Sequence, residues 1–370
     1  MKATIGRLIV VVFIIATLLV VQPVSAQPGM QDLGTLGGNN SIAADINNRG
    51  QVVGTAGGHA FLWQKGKMID LGTAGGKSSG GGKINESGQI IGDITVSSFP
   101  NIVHAFFWNA GIMTDLGTLG GSDSYSVDLN NQGQVVGNSE TGSDVTHAFL
   151  WQNGAMFDLG TLGGSGSWPR DINNRGQVVG GSFTTNGDTH AFLWEKGKMI
   201  DLGTLGGCCS AASAINDSGQ VVGSSETAIG EQHSFLWKKG VMIDLGTLGG
   251  YRSAPADINN RGQVVGTSIK LDGYQGAFLW EHGQLTELMG LNIWENYVFR
   301  INERGQVIYE SQYDSENGYS RAVLWQKGIL TDLGTLGGPM STPYAINERG
   351  QVVGQSLTAS DEWHAFLWSK

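Results

Sequence analysis

The sequence predicts an all-β protein, an eight-bladed β-propeller of four-stranded antiparallel blades. Three observations predict it. A unit of about 43 residues recurs eight times and fills the chain from residue 32 onward, the length of one propeller blade. Glycine supplies 59 of 370 residues and charged residues only 15%. Each Gly costs about 1 kcal/mol in a helix relative to Ala, so helical bundles and coiled coils are excluded. Finally, the repeat is out of phase with the chain. The chain opens on the last strand of a unit and stops one strand short of completing another.

Residues 1–26 are expected to be a secretory signal peptide. Lys2 and Arg7 form a positive n-region, and Leu8 to Val21 is apolar except for Thr17. Val24-Ser25-Ala26 then offers a small-residue cleavage site. A permanent anchor is the competing reading, but a span needs about 20 apolar residues. The protein is therefore expected outside the cytoplasm, periplasmic or extracellular. Loss of Lys2 and Arg7 takes the formal net charge from −10 to −12. A chain this acidic is not expected to bind nucleic acid.

Residues 27–370 read as a single domain. Its units start at residues 32, 70, 115, 158, 201, 244, 287 and 332. DLGTLGG opens six of them; it becomes DLGTAGG from Asp70 and ELMGLN from Glu287. Within each unit, strand A (SIAADIN in the first) is followed by B (QVVGT), C (HAFLW) and D (KMIDLG). B and C are apolar runs, as strands buried on both faces require. A tight N-x-x-G hairpin joins A to B, its Gly (Gly50 in the first unit) supplying positive φ. A second Gly, Gly66 in the first unit, turns C into D. A Gly-rich crossover leads to the next A.

The termini fix the architecture. The last unit ends at HAFLWSK, after strand C, while Gln31-Asp32-Leu33-Gly34 stands alone as a strand D. The N-terminal strand is predicted to complete the C-terminal blade, closing a ring with no free sheet edge. Unit seven departs from the pattern, so seven blades and a stray unit is the alternative.

The tandem HAFLW and DLGTLGG strings over residues 32–370 resemble the HAF family of extracellular bacterial repeats. That resemblance implies export and a repeat architecture. It implies no activity and supplies no catalytic or binding residues. Unit seven has Arg321-Ala322-Val323 where HAF stands elsewhere.

Several patterns invite chemistry and mostly receive structural readings. Gly76-Lys77-Ser78 lacks the first Gly and the helix of a P-loop, and Gly76 to Gly80 fits G-x-S-x-G without a strand-to-helix elbow. His59, His104, His147, His190, His233 and His364 open strand C. Third from the axis, they are about 10–15 Å apart between blades, too far for one zinc ion. Each is expected to be a hydrogen-bonded structural residue. Asp45, Asp128, Asp171 and Asp257 precede the recurrent Asn by two residues. Arg49, Arg175 and Arg261 follow Asp45, Asp171 and Asp257 across the turn, so for these three local ion pairs are expected rather than acid–base catalysis. Asp314 and Glu316 before Gly318 only weakly resemble a calcium loop. Cys208 and Cys209 are adjacent, either free or bonded to each other, and cannot staple distant segments.

The informative signal lies where the repeat stops repeating. Five residues before the recurrent Asn stand Ile42, Gly80, Tyr125, Trp168, Ala211, Ala254, Tyr297 and Thr342. Three before it stand Ala44, Gly82, Val127, Arg170, Ser213, Ala256, Phe299 and Tyr344. Against a background of small residues, Tyr125, Trp168, Arg170, Tyr297, Phe299 and Tyr344 are the candidate ligand-binding residues. The crossovers and B–C loops leave the same end of the disc, so these residues gather near the axis on one face. Aromatics with a few polar groups suit a ligand or partner; drift at unconstrained positions is the competing account. The sequence thus predicts an exported, monomeric, non-catalytic module for an extracellular glycan or protein, with no cofactor and no metal. The alternatives are a carbohydrate-active or quinone-dependent propeller enzyme with its site in the channel, and a purely structural surface protein.

Overall fold

The computed structural model describes residues 29–291 and 295–370. The predicted signal peptide lies outside the described residues. Thirty-two strands are arranged as eight four-stranded antiparallel blades around one axis, and no helix occurs among the described residues. Accordingly, none is present that is long and apolar enough to cross a membrane.

Blade 1 runs outward through A (Ser41–Ile46), B (Val52–Ala56), C (His59–Gln64) and D (Lys67–Asp70). The next six blades repeat that order over 78–115, 120–158, 163–201, 206–244, 249–288 and 296–332. Blade 8 takes its first three strands from 337–368 and its fourth from the N-terminal strand Met30–Asp32. There Met30 pairs with Trp368 and Asp32 with Phe366. Ring closure follows the prediction, and the unit that departs from the repeat forms a blade like the others.

The core is a set of layers between neighbouring blades. Val179, Ala191 and Leu193 of blade 4, for example, pack against Ile215, Val221 and Phe235 of blade 5. The recurrent Trp residues sit at the margins of these layers. Trp63 and Trp368 are buried; Trp151, Trp194, Trp237 and the rest are half-buried. Full burial of every Trp, as in a core column, does not hold, because strand C meets the exposed C–D turn there.

Side-chain hydrogen bonds close the ring as well. Asn47 Nδ2 donates to the Asn85 carbonyl at 3.0 Å, and each recurrent Asn repeats this until Asn347 returns to Asn47 at 3.0 Å. Its Oδ1 accepts two amides of its own A–B turn, as Asn47 does from Arg49 and Gln51. The next residue forms a second ring. The Asn48 amide donates to Glu86, Glu86 to Asn131, and so on to Glu348, which donates to Asn48. These buried Asn residues are fully used, which accounts for their recurrence.

Blade 7 keeps its shape through an exchange. In seven blades a strand B Gly faces a strand C Phe, as Gly137 faces Phe149. A Cβ on Gly137 would lie 2.1 Å from the Tyr125 carbonyl oxygen and 2.6 Å from the Phe149 ring. In blade 7 Tyr309 faces Val323. The large ring comes from strand B and the small residue from strand C. Tyr309 is fully buried, and its hydroxyl donates to the Met289 carbonyl.

Candidate functional site

The site is built on the inner strands. All eight carry a β-bulge ending two residues before the recurrent Asn, as between Ser126 and Asp128 or Pro169 and Asp171. A bulge sets two consecutive residues against one on the partner strand and re-aims their side chains. Consecutive pairs such as Val127-Asp128, Arg170-Asp171 and Ala256-Asp257 therefore line one cavity. It encloses about 370 Å³ on the axis, and Lys83 and Arg300 complete its charged lining.

The carboxylates here are not paired with the turn arginines. Among the described residues no ion pair joins Asp45, Asp128, Asp171 or Asp257 to Arg49, Arg175 or Arg261. The predicted local pairs are therefore corrected: Arg175 donates to Gln177 and Arg261 to the Glu303 carbonyl. The cause is the bulge, which turns the aspartates toward the axis, away from the turn. Each instead accepts the amide of the next blade's Ile: Asp45 from Ile84, Asp128 from Ile172, Asp171 from Ile215 and Asp257 from Ile301. Burial pushes the Asp171 carboxyl well above the usual carboxylate range, and its charged, hydrogen-bonding neighbour Asp128 pushes the same way. Burial works against the Arg300 guanidinium, but Asp257, Asp45, Asp171 and Asp128 outweigh it and hold the charge.

The six predicted site residues fall at two depths. Arg170 lines the axial cavity. Tyr125 and Tyr297 are 43% and 47% exposed, at the crossover end of the inner strand. They belong to blades 3 and 7, four blades apart in a ring of eight, and so flank the channel mouth from opposite sides. Burial and the nearby Asp123, Asp93 and Glu140 raise the Tyr125 phenol. A hydrogen bond to Glu295, with burial and Glu310, pushes Tyr297 up to about 12. Trp168 instead packs edge-on against Phe183 at 5.2 Å. Phe299 and Tyr344 are half-buried and meet each other edge-on at 5.7 Å between blades 7 and 8. The fold thus gathers two of the six at the mouth and one in the channel, and ties the other three into ring-to-ring packing.

Lys83 and Arg300 were missed by the sequence reading. Their signal is the position two before the Asn, which reads Asp45, Lys83, Asp128, Asp171, Ala214, Asp257, Arg300 and Ala345. So many charges on an innermost strand mark a polar channel.

The other candidates lie elsewhere. Each strand C His sets Nδ1 on the strand D Asp of its own blade at 2.7–2.8 Å, His364 on Asp32 included. Asp314 accepts the amides of Glu316 and Asn317 within its own turn. Cys208 and Cys209 are bonded to each other.

No family model and no curated protein matches the chain. Solved structures do. A puromycin hydrolase mutant complexed with PGG is 13% identical with a TM-score of 0.52, over 90% of this chain and 59% of that one. A puromycin-hydrolysing peptidase from Mycobacterium tuberculosis is 12% identical with a TM-score of 0.48, over 72% of this chain and 48% of that one. TolB from Acinetobacter baumannii is 12% identical with a TM-score of 0.40, over 72% and 60%. This chain spans about half to three-fifths of the length of these proteins. At such identities the likeness concerns the fold alone.

Proposed function

We propose that the chain is an exported, non-catalytic binding and scaffolding module of the HAF-repeat type, taking an extracellular glycan or protein on its crossover face. One observation carries this reading. Tyr125 and Tyr297 stand exposed on opposite sides of the channel mouth, where four other blades present Gly80, Ala211, Ala254 or Thr342, blade 1 the exposed Ile42 and blade 4 the ring-packed Trp168. Flat rings next to carboxylates suit sugar faces and peptide side chains. Binding to arrayed glycans and displayed peptides tests it. A specific ligand is expected, and Tyr125→Ala with Tyr297→Ala should weaken it at least tenfold while the thermal midpoint stays put. Absence of any ligand, or turnover of the bound one, would overturn the reading.

A channel enzyme, carbohydrate-active or quinone-dependent, is the second reading. The carboxyl of Asp171, held up beside Asp128 and facing the same cavity as Arg300, favours it. A glycosidase pair, however, straddles the bond it cleaves at about 5–9.5 Å. Asp128 instead acts directly on Asp171, its charge and hydrogen bonding raising that carboxyl further after burial. The puromycin hydrolysis of the structural neighbours is not carried over to this chain.

A further inference from the structure

The two ends of the disc carry opposite charge. Among the described residues, the crossover and B–C end holds twenty-two carboxylates against four Lys or Arg residues. The end made of A–B and C–D turns holds thirteen Lys or Arg residues against six carboxylates. Those six are already engaged as acceptors: Glu86, Asp217, Glu303 and Glu348 in the second hydrogen-bond ring, Glu195 and Glu281 by Gln177 and Gln263. No ion pair joins any of the thirteen bases to a carboxylate among the described residues. In an acidic protein, a flat basic face of this kind is a built surface, distinct from the channel mouth and at the opposite end.

Two further features say what it fits. The first residue of the C–D turn has φ near +50°, a conformation that favours Asn, Asp or Gly. Four blades nevertheless place Lys there: Lys65, Lys196 and Lys239 at 51° and Lys327 at 49°. Cations are kept at the tips against the local preference of the backbone. Two of these turns also expose an aliphatic residue, Val241 (59%) two residues after Lys239 and Ile329 (70%) two after Lys327, and the blade 2 turn exposes Ile112 (70%). A bilayer interface takes both lysine and aliphatic groups.

We propose that this turn face docks the propeller on an anionic lipid bilayer, leaving the mouth with Tyr125 and Tyr297 turned away from the membrane. The acidic opposite end reinforces the orientation, because the same surface potential repels it.

Cosedimentation of the chain from residue 27, which contains every strand of the ring, tests the proposal. The probes are phosphatidylcholine vesicles with and without about 30% phosphatidylglycerol. Binding at low salt should be at least tenfold stronger to the anionic vesicles. Lys196→Glu, Lys198→Glu, Lys238→Glu and Lys239→Glu together should abolish that preference. Ile112→Ser, Val241→Ser and Ile329→Ser together should cut the residual binding severalfold at about 0.3 M salt, where charge is screened. All these positions are exposed, in the C–D turns or at the strand ends that adjoin them, so the thermal midpoint serves as the folding control. Asp144→Lys with Asp361→Lys on the opposite end should leave vesicle binding unchanged. Equal binding to both vesicle types would overturn the proposal. So would an acidic polysaccharide that binds the face while the aliphatic variant behaves as wild type.

Discussion

At the scale of single residues, the inner strands carry charges that water would ordinarily solvate. The same holds one strand further out, on strand B of blade 2, where Asp93 shows the consequence most simply. Burial raises its carboxyl to about 6, against the amide hydrogen bond it accepts from Ser126. A carboxyl raised by folding binds its proton more tightly in the native state. Its stabilising contribution is complete below the unfolded value near 4 and is lost as pH rises through about 6. Asp93→Asn keeps an acceptor for the Ser126 amide and removes the titration. The variant should match wild type at pH 4 and exceed its stability at pH 7 by up to about 3 kcal/mol. Denaturant unfolding across that range checks it; parallel profiles for the two proteins would mean that Asp93 is not desolvated.

At the scale of strands, blade 7 is the most instructive element, because its sequence looks decayed and its structure is regular. The exchange of a Gly–Phe pair for Tyr309–Val323 keeps one large ring between strands B and C and moves its origin from strand C to strand B. Tyr309→Gly alone should cost about 3–5 kcal/mol through the cavity it leaves. Val323→Phe alone should cost about 1–3 kcal/mol through overpacking. The double variant should recover at least about 2 kcal/mol relative to the sum, a coupling expected of residues in direct contact. Additive costs would refute the exchange. The pairing rule was not legible from unit seven alone, where two departures 14 positions apart in the sequence give no sign of facing each other. The strands themselves were legible, since apolar runs and turn glycines recur at fixed offsets. The bulge was not. It leaves no residue-type signature, so Asp171 and Asp257 read as partners of turn arginines until the register showed them facing the axis. Of the six candidate site residues, the aromatic departures were visible as departures. Whether an aromatic faced solvent or a neighbouring ring was set by packing partners such as Phe183, which no alignment of units predicts.

At the scale of the whole molecule, closure converts a row of repeats into a disc with two chemically different ends. Ring symmetry sets Tyr125 opposite Tyr297, and it collects the turn lysines on the other side. Both proposals depend on that geometry, and it rests on a strand contributed from the far end of the chain. Met30–Asp32 completes blade 8, Leu33 is buried in the layer between blades 8 and 1, and Asp32 meets His364. The most direct measurement is the thermal midpoint of three proteins: the chain from residue 27, the same chain begun at residue 38, and a permutant carrying residues 29–37 after Lys370 through a short Gly-Ser linker. Closure predicts that truncation lowers the midpoint sharply and that the permutant recovers it, because the strand returns to the same edge from the other end. A truncated chain that keeps its midpoint, or a permutant no better than the truncation, would contradict the closed ring.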